Sequence, residues 1–178
     1  FNIVYSGVMK SSQNPLMLWK VLTDLCKSNE SFKNDLKIKL IGDFDNSIYK
    51  NKNIIELGKN VSFIGYTSKL KLNKHLCESS VFLLCDINDS KGGNLIPGKF
   101  YDYLSYKIPI IAFSNKNSDT YNIVKENNSV NVFDFSNEFD LKNHILELYS
   151  NFKNNKLILN KNSSDKYLIS NLTLELNK

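Results

Sequence analysis

Arginine is absent from all 178 residues, so every one of the 23 basic side chains is a lysine. That removes the side chain most used to read base edges. The lysines are scattered among many asparagines and form no dense basic run. The net charge of +5 therefore reads as a solvated basic surface, and nucleic acid is not an expected partner. Peripheral contact with anionic lipid headgroups is the other reading of the same surplus. Long apolar runs are also missing, and none approaches the roughly 20 residues that cross a bilayer. With 7 Gly, 3 Pro and 42% apolar residues, neither a fibrous nor a disordered chain fits. The Gly-x-Gly-x-x-Gly fingerprint and the Walker phosphate loop are absent, which excludes the usual dehydrogenases and P-loop nucleotidases. Cys26, Cys77 and Cys85 form no Cys-x-x-Cys pair and read as small buried hydrophobes. His75 and His144 have no partner at ligand spacing, so no metal is expected. Asn-x-Ser/Thr sequons at Asn29, Asn60, Asn88, Asn127, Asn162 and Asn171 are what chance gives in so asparagine-rich a chain.

What is present is a regular alternation of short apolar runs and amphipathic stretches. Strands are expected over 3–6, 36–41, 61–66, 81–86, 109–113 and 130–133. A turn is expected over 7–12. The first helix begins at Asn14-Pro15, with Leu16, Trp19, Leu22, Leu25 and Cys26 on its buried face. Further helices are expected over 47–57, closed by Gly58, and after Thr67 or Ser68, with Leu70, Leu72, Leu76 and Cys77 as its stripe. Others follow from Pro97, over 118–127 and over 138–152. Six buried strands separated by helices predict an α/β fold: a doubly wound, mainly parallel, six-stranded Rossmann-like sheet with helices on both faces. Residues 1–152 make this domain. Residues 153–178 read as a linker and a tail helix over 167–176 that packs on another domain. The opening Phe1-Asn2-Ile3-Val4-Tyr5 reads as a core strand and not a signal peptide, so the expectation is a domain whose other half lies upstream.

The richest stretch is 94–111, Asn-Leu-Ile-Pro-Gly-Lys-Phe-Tyr-Asp-Tyr-Leu-Ser-Tyr-Lys-Ile-Pro-Ile-Ile. Pro97 and Gly98 open a short helix whose first turn carries Lys99, a cation beside unpaired backbone N–H groups. Asp102 lies three residues on along the same face, where a carboxylate can accept from sugar hydroxyls. Phosphate at the helix mouth and ribose one turn in is a nucleotide layout. Tyr101, Tyr103 and Tyr106 read as packing. In an open parallel sheet the ligand lies beyond the carboxyl ends of the strands, where Gly7, Gly42-Asp43, Tyr66-Thr67, 86–98 and Ser114 fall.

With Val-Tyr-Ser-Gly at 4–7, Leu-Ile-Gly-Asp at 40–43, Val-Ser-Phe-Ile-Gly-Tyr at 61–66 and the Pro-Gly-Lys…Asp-Tyr-Leu…Pro-Ile-Ile block, the chain resembles the C-terminal, donor-binding domain of group 1 glycosyltransferases. These enzymes have a two-Rossmann-domain (GT-B) architecture. The resemblance runs over about 3–152, and the block at 96–111 is its specific part. It implies transfer of a sugar from a nucleoside diphosphate sugar to a hydroxyl acceptor, in bacterial polysaccharide or glycoconjugate synthesis. No cofactor or metal is implied. Lys99 would stabilise the leaving diphosphate, with Gly7, Lys10, Tyr66, Thr67, Asn94, Gly98 and Asp102 also binding the donor, and Gly92-Gly93 giving its backbone room.

The chain departs from that family at three places. Many members carry two acidic residues eight positions apart; here the second is Asp102 and the first is Asn94, which keeps hydrogen bonding and loses the charge. Many also carry an Arg and a Lys after the first glycine, where Val8 and Gln13 stand here. The carbohydrate or lipid-linked acceptor and any base would lie on the other domain, leaving this chain able to bind and not to turn over. The resemblance implies a cytoplasmic location, peripheral at the inner membrane face in the lipid-binding reading. A nucleotide-sugar epimerase of the same architecture, or a non-catalytic protein-docking module, are the alternatives.

Overall fold

A computed structural model describes residues 1–87, 97–125 and 130–157. Its strands are β1 (Asn2–Met9), β2 (Lys37–Phe44), β3 (Val61–Ile64), β4 (Val81–Cys85), β5 (Ile110–Phe113) and β6 (Val130–Phe133). They form one sheet in the order β3-β2-β1-β4-β5-β6, and every neighbouring pair is parallel. The strand order reverses direction between β1 and β4, which makes the topological switch point of a doubly wound sheet.

The alternation along each strand builds two cores. Ile3, Tyr5, Leu83, Cys85, Ile111 and Phe113 face one side, and Val4, Phe82, Leu84, Ile110 and Ala112 the other. The first core is covered by α1 (Leu16–Ser28), α2 (Glu30–Asp35), α3 (Asn46–Tyr49), α4 (Lys52–Leu57) and α8 (Glu138–Lys153), whose Tyr149 packs on Phe1 and Phe32. The second is covered by α5 (Lys69–Cys77), α6 (Lys99–Ser105) and α7 (Asp119–Lys125). Trp19 of α1 is fully buried in the first core, and its indole N–H donates to Asn14 Oδ1 at 2.7 Å.

Several boundaries differ from expectation, each for a local reason. β1 does not turn at Gly7 but continues to Met9, because Gly7 and Gly42 pair in register with φ of 118° and 124°, and both strands pass through them. The stretch 47–57 breaks into two helices, since the Asn51 side chain caps Asn53 and Ile54 and restarts the backbone there. Gly58 closes the second at φ 54°. α2 was not expected; Asn29 caps it and Phe32 anchors it in the core. Pro15 stands at the cap of α1, outside its first turn, which rotates Leu16 out to solvent. On α5 only Leu72 and Leu76, four apart, face the sheet, so Leu70 and Cys77 are exposed, contrary to the expected stripe. Asn60 is held inside, its amide donating to the carbonyls of Lys33 and Leu36. Asn94, Gly92-Gly93 and the expected tail helix lie outside the described residues.

Candidate functional site at the switch point

β1 and β4 stay paired only at Ile3–Val81 and Val4–Phe82. Beyond that register β4 leaves β1, while β1 remains paired to β2 as far as Met9. A crevice therefore opens at the carboxyl ends of β1 and β4, and α6 lies beside it. Lys99, in the first turn of α6, sends its stem across the gap. Its Nζ lies 3.8 Å from the centroid of the Tyr5 ring, on the opposite core face. A Cβ built on Gly7 would sit 3.2 Å from that same Nζ. Glycine at this position is what lets the cation come against the β1 backbone.

The electrostatics of Lys99 follow from that placement. Burial pulls its pKa down to about 8, an effect only partly opposed by Cys85. Lys99 is half-buried, and among the described residues no carboxylate ion-pairs with it. Burial also raises the Cys85 thiol and the Tyr5 phenol, which stay neutral beside it. The Tyr5 hydroxyl donates to the Val8 carbonyl at 2.6 Å and is occupied.

Two adjoining cavities share Ser6 and Leu72. One, of about 370 Å³, is lined among others by Lys69, Asn73, Lys99, Asp102 and Tyr103. The other, of about 210 Å³, is lined by Gly7, Ile41, Gly42, Tyr66 and Thr67. The fold thus brings Gly7, Tyr66, Thr67, Lys99 and Asp102 to one depression, from β1, the turn after β3, and α6. Asp102 is exposed, and its carboxylate takes part in no ion pair among the described residues. Lys10 and Gly98 are exposed and line neither cavity. The Phe100 N–H at the start of α6 is taken by the Pro97 carbonyl at 2.8 Å, leaving fewer open donors at the helix mouth than its sequence implied. Gln13, at an expected clamp position, is structural: its Oε1 accepts from Lys10 N and its amide donates to the Cys85 carbonyl at 3.2 Å. Val8 is exposed.

Sequence reasoning missed Ser6, Lys69 and Tyr103. For Tyr103 the signal was its position one turn behind Lys99 on the same helix face. Asp86, at the end of β4, is 3% exposed and fully engaged, accepting from Ile87 N at 2.8 Å and from the Ser114 hydroxyl at 2.9 Å. Ser114 in turn meets Ser118 Oγ at 2.6 Å, so this buried chain ties the ends of β4 and β5 to the start of α7. Cys26 lines a smaller cavity of about 130 Å³ with Thr23 and Asn60, toward the amino ends of β2 and β3, and burial pushes its thiol up to about 11. Among the described residues no group of three His, Cys, Asp or Glu could hold a metal ion, and no helix is long and apolar enough to cross a membrane.

No protein-family model matches the chain, and no curated protein matches it in sequence. Solved structures do match. The catalytic domain of a cholesterol-alpha-glucosyltransferase from Helicobacter pylori aligns over 98% of both chains, with TM-score 0.63 and 18% identity. A point mutant of TarM from S. aureus, solved with fondaparinux, alpha-GlcNAc-glycerol and UDP, aligns over 99% of this chain and 34% of its own, with TM-score 0.68 and 19% identity. The lipopolysaccharide outer core galactosyltransferase WaaB aligns over 99% of this chain and 47% of its own, with TM-score 0.67 and 14% identity. The chain thus spans about a third of TarM and about half of WaaB. At such identities the likeness is one of fold. The chain has the Rossmann-like α/β fold found in GT-B glycosyltransferases, with its crevice at the switch point between β1 and β4.

Proposed function

We propose that this chain is the donor-binding half of a glycosyltransferase that moves a sugar from a nucleoside diphosphate sugar to a hydroxyl acceptor. One observation carries the reading. A lysine with no ion-pair partner among the described residues is held in the switch-point crevice against a glycine of β1, and a carboxylate one helical turn on lines the same cavity. A cation kept there at the expense of its hydration is suited to an anion. As the bond from the sugar's anomeric carbon to the diphosphate breaks, negative charge gathers on the diphosphate oxygens. The Lys99 ammonium meets that charge without having to reorganise. Asp102 accepts from the ribose hydroxyls, and Tyr66 and Thr67 border the remainder of the nucleotide. Residues 1–152 form this unit, residues 153–178 are its linker and tail that pack on the other half, and that half supplies the acceptor site and any base. The reaction needs no metal in this account, because Lys99 supplies the positive charge, and it runs in the cytoplasm. That the TarM mutant was solved with UDP supports a nucleoside diphosphate as the ligand class.

The test is calorimetric titration of the chain with UDP, GDP, TDP and ADP near pH 7. One of the four binds, and Lys99→Ala weakens it by about tenfold to a hundredfold, the worth of a charge-assisted hydrogen bond. Asp102→Ala weakens a nucleotide but not inorganic diphosphate. Binding by none of the four would overturn the reading and favour a Rossmann-like module with no donor site.

A further inference from the structure

Tyr103 has a place in this site that its sequence context did not reveal. In the ladder of β1, the Asn2 carbonyl accepts from Ser80 N, so the backbone groups of Asn2, Val4 and Ser6 point toward the β4 side. Val4 is the last β1 residue in register with β4. Ser6, two residues on, points its N–H into the opening crevice, where no strand remains to receive it. The Tyr103 hydroxyl receives it at 2.9 Å, and the Ser6 hydroxyl lies 3.1 Å from the same phenol oxygen. The ring itself stacks on Phe82, the last β4 residue in register with β1, at 4.3 Å between centroids and 13° between planes. Tyr103 is 1% exposed, and burial, partly opposed by its bonds to Ser6, pushes its phenol up to about 12, so it stays neutral.

We propose that Tyr103 is the positioning residue of the donor site, a latch that fixes α6 to β1 and so holds Lys99 against Gly7. The assignment rests on the donor-site reading of the same crevice. The geometry that favours it is the i, i+4 spacing of Lys99 and Tyr103, which puts both on one face of α6. From that face Tyr103 fastens to Ser6 while Lys99 reaches Tyr5 and Gly7, the two β1 neighbours of Ser6. The latch also satisfies a backbone donor that parting β1 from β4 would otherwise leave unpaired in the crevice. It thereby keeps the crevice open at the register where the ligand enters.

The experiment is Tyr103→Phe, which keeps the ring on Phe82 and removes only the oxygen. Two quantities are read: the titration of Lys99 by NMR without ligand, and UDP affinity across pH, or that of whichever nucleoside diphosphate the wild-type chain binds. The wild-type expectation is a Lys99 titration that burial brings down to about 8. In the variant it moves up toward the ordinary lysine value of 10.5 as the side chain slips into water. Affinity at neutral pH falls about tenfold, as loss of one well-placed interaction would give. A loss of stability alone would lower the melting temperature without moving the Lys99 titration. An unchanged titration and unchanged affinity in a folded variant would overturn the latch. If the wild type binds no nucleotide, the donor reading falls while the ligand-free titration still decides the latch. If the variant does not fold, hydrogen exchange in the wild type decides: a Ser6 amide as protected as its neighbours supports the latch, and one exchanging as fast as an exposed amide refutes it.

Discussion

Exchanging Lys99 for methionine removes the charge that lies over the Tyr5 ring and keeps most of the stem that carries it there. Burial lowers the Lys99 pKa from 10.5 to about 8. At about 1.4 kcal/mol per unit, the protonated side chain costs the folded state up to about 3 kcal/mol, and about 1–2 after allowing for the water that still reaches it. The sign follows from proton counting. Below pH 8 the folded and unfolded chains both hold the proton, and the full cost is present. Between about 8 and 10.5 the unfolded chain binds more protons than the folded one, so wild-type stability rises with pH. Above 10.5 the cost is gone. Lys99→Met is therefore more stable than wild type by about 1–2 kcal/mol at pH 7, and the gap closes toward pH 10.5. Urea unfolding of both proteins at the two pH values measures it, with equal slopes checking that the unfolded states match. Parallel pH profiles, or a variant less stable at pH 7, would refute the idea that the crevice holds this cation at a cost in stability.

Two further substitutions probe the frame around the site. At Gly42 an added Cβ would meet the Gly7 carbonyl oxygen at 2.2 Å, at a φ of 124°. Gly42→Ala forces β1 and β2 apart where the crevice begins and lowers stability by about 2 kcal/mol or more; an unchanged melting temperature would count against the observed register. At the far edge, the Lys116 ammonium and then the Ser136 groups hold the Asp134 carboxyl down to about 2, against a burial effect of opposite sign. That contribution is complete above the ordinary value of 3.8 and is lost as pH falls through about 2. Asp134→Asn therefore flattens the acid limb of the stability profile below pH 4, and an unaltered limb would show that the pair contributes nothing.

The fold was legible because its signal is repetitive. Six apolar runs alternating with amphipathic stretches leave few arrangements once right-handed crossovers are required. What escaped depended on partners distant in sequence. Gly7 read as a turn because glycine usually marks one, and only the pairing with Gly42 shows that both strands run through. α2 was missed because six residues give too little periodicity, although Asn29 three residues before Phe32 was its mark. At the candidate site, helix spacing pointed to Lys99 and Asp102 and place after a strand to Tyr66 and Thr67, and all four line the adjoining cavities. Lys10 was expected beside them, but its backbone N–H donates to the Gln13 side-chain oxygen in a turn that leaves its own side chain in solvent. Ser6 and Tyr103 could not be paired from sequence, because their bond exists only where β1 and β4 diverge.

The most direct test of the account is a two-dimensional NMR titration of the isotopically labelled chain with UDP, GDP, TDP and ADP in turn. One of them shifts the backbone amides of Ser6, Gly7, Gly42, Thr67, Lys99 and Asp102, and leaves those around Cys26 and Asn60 in place. Shifts confined to the Cys26 cavity, or none with any of the four, would contradict a donor site at the β1–β4 crevice.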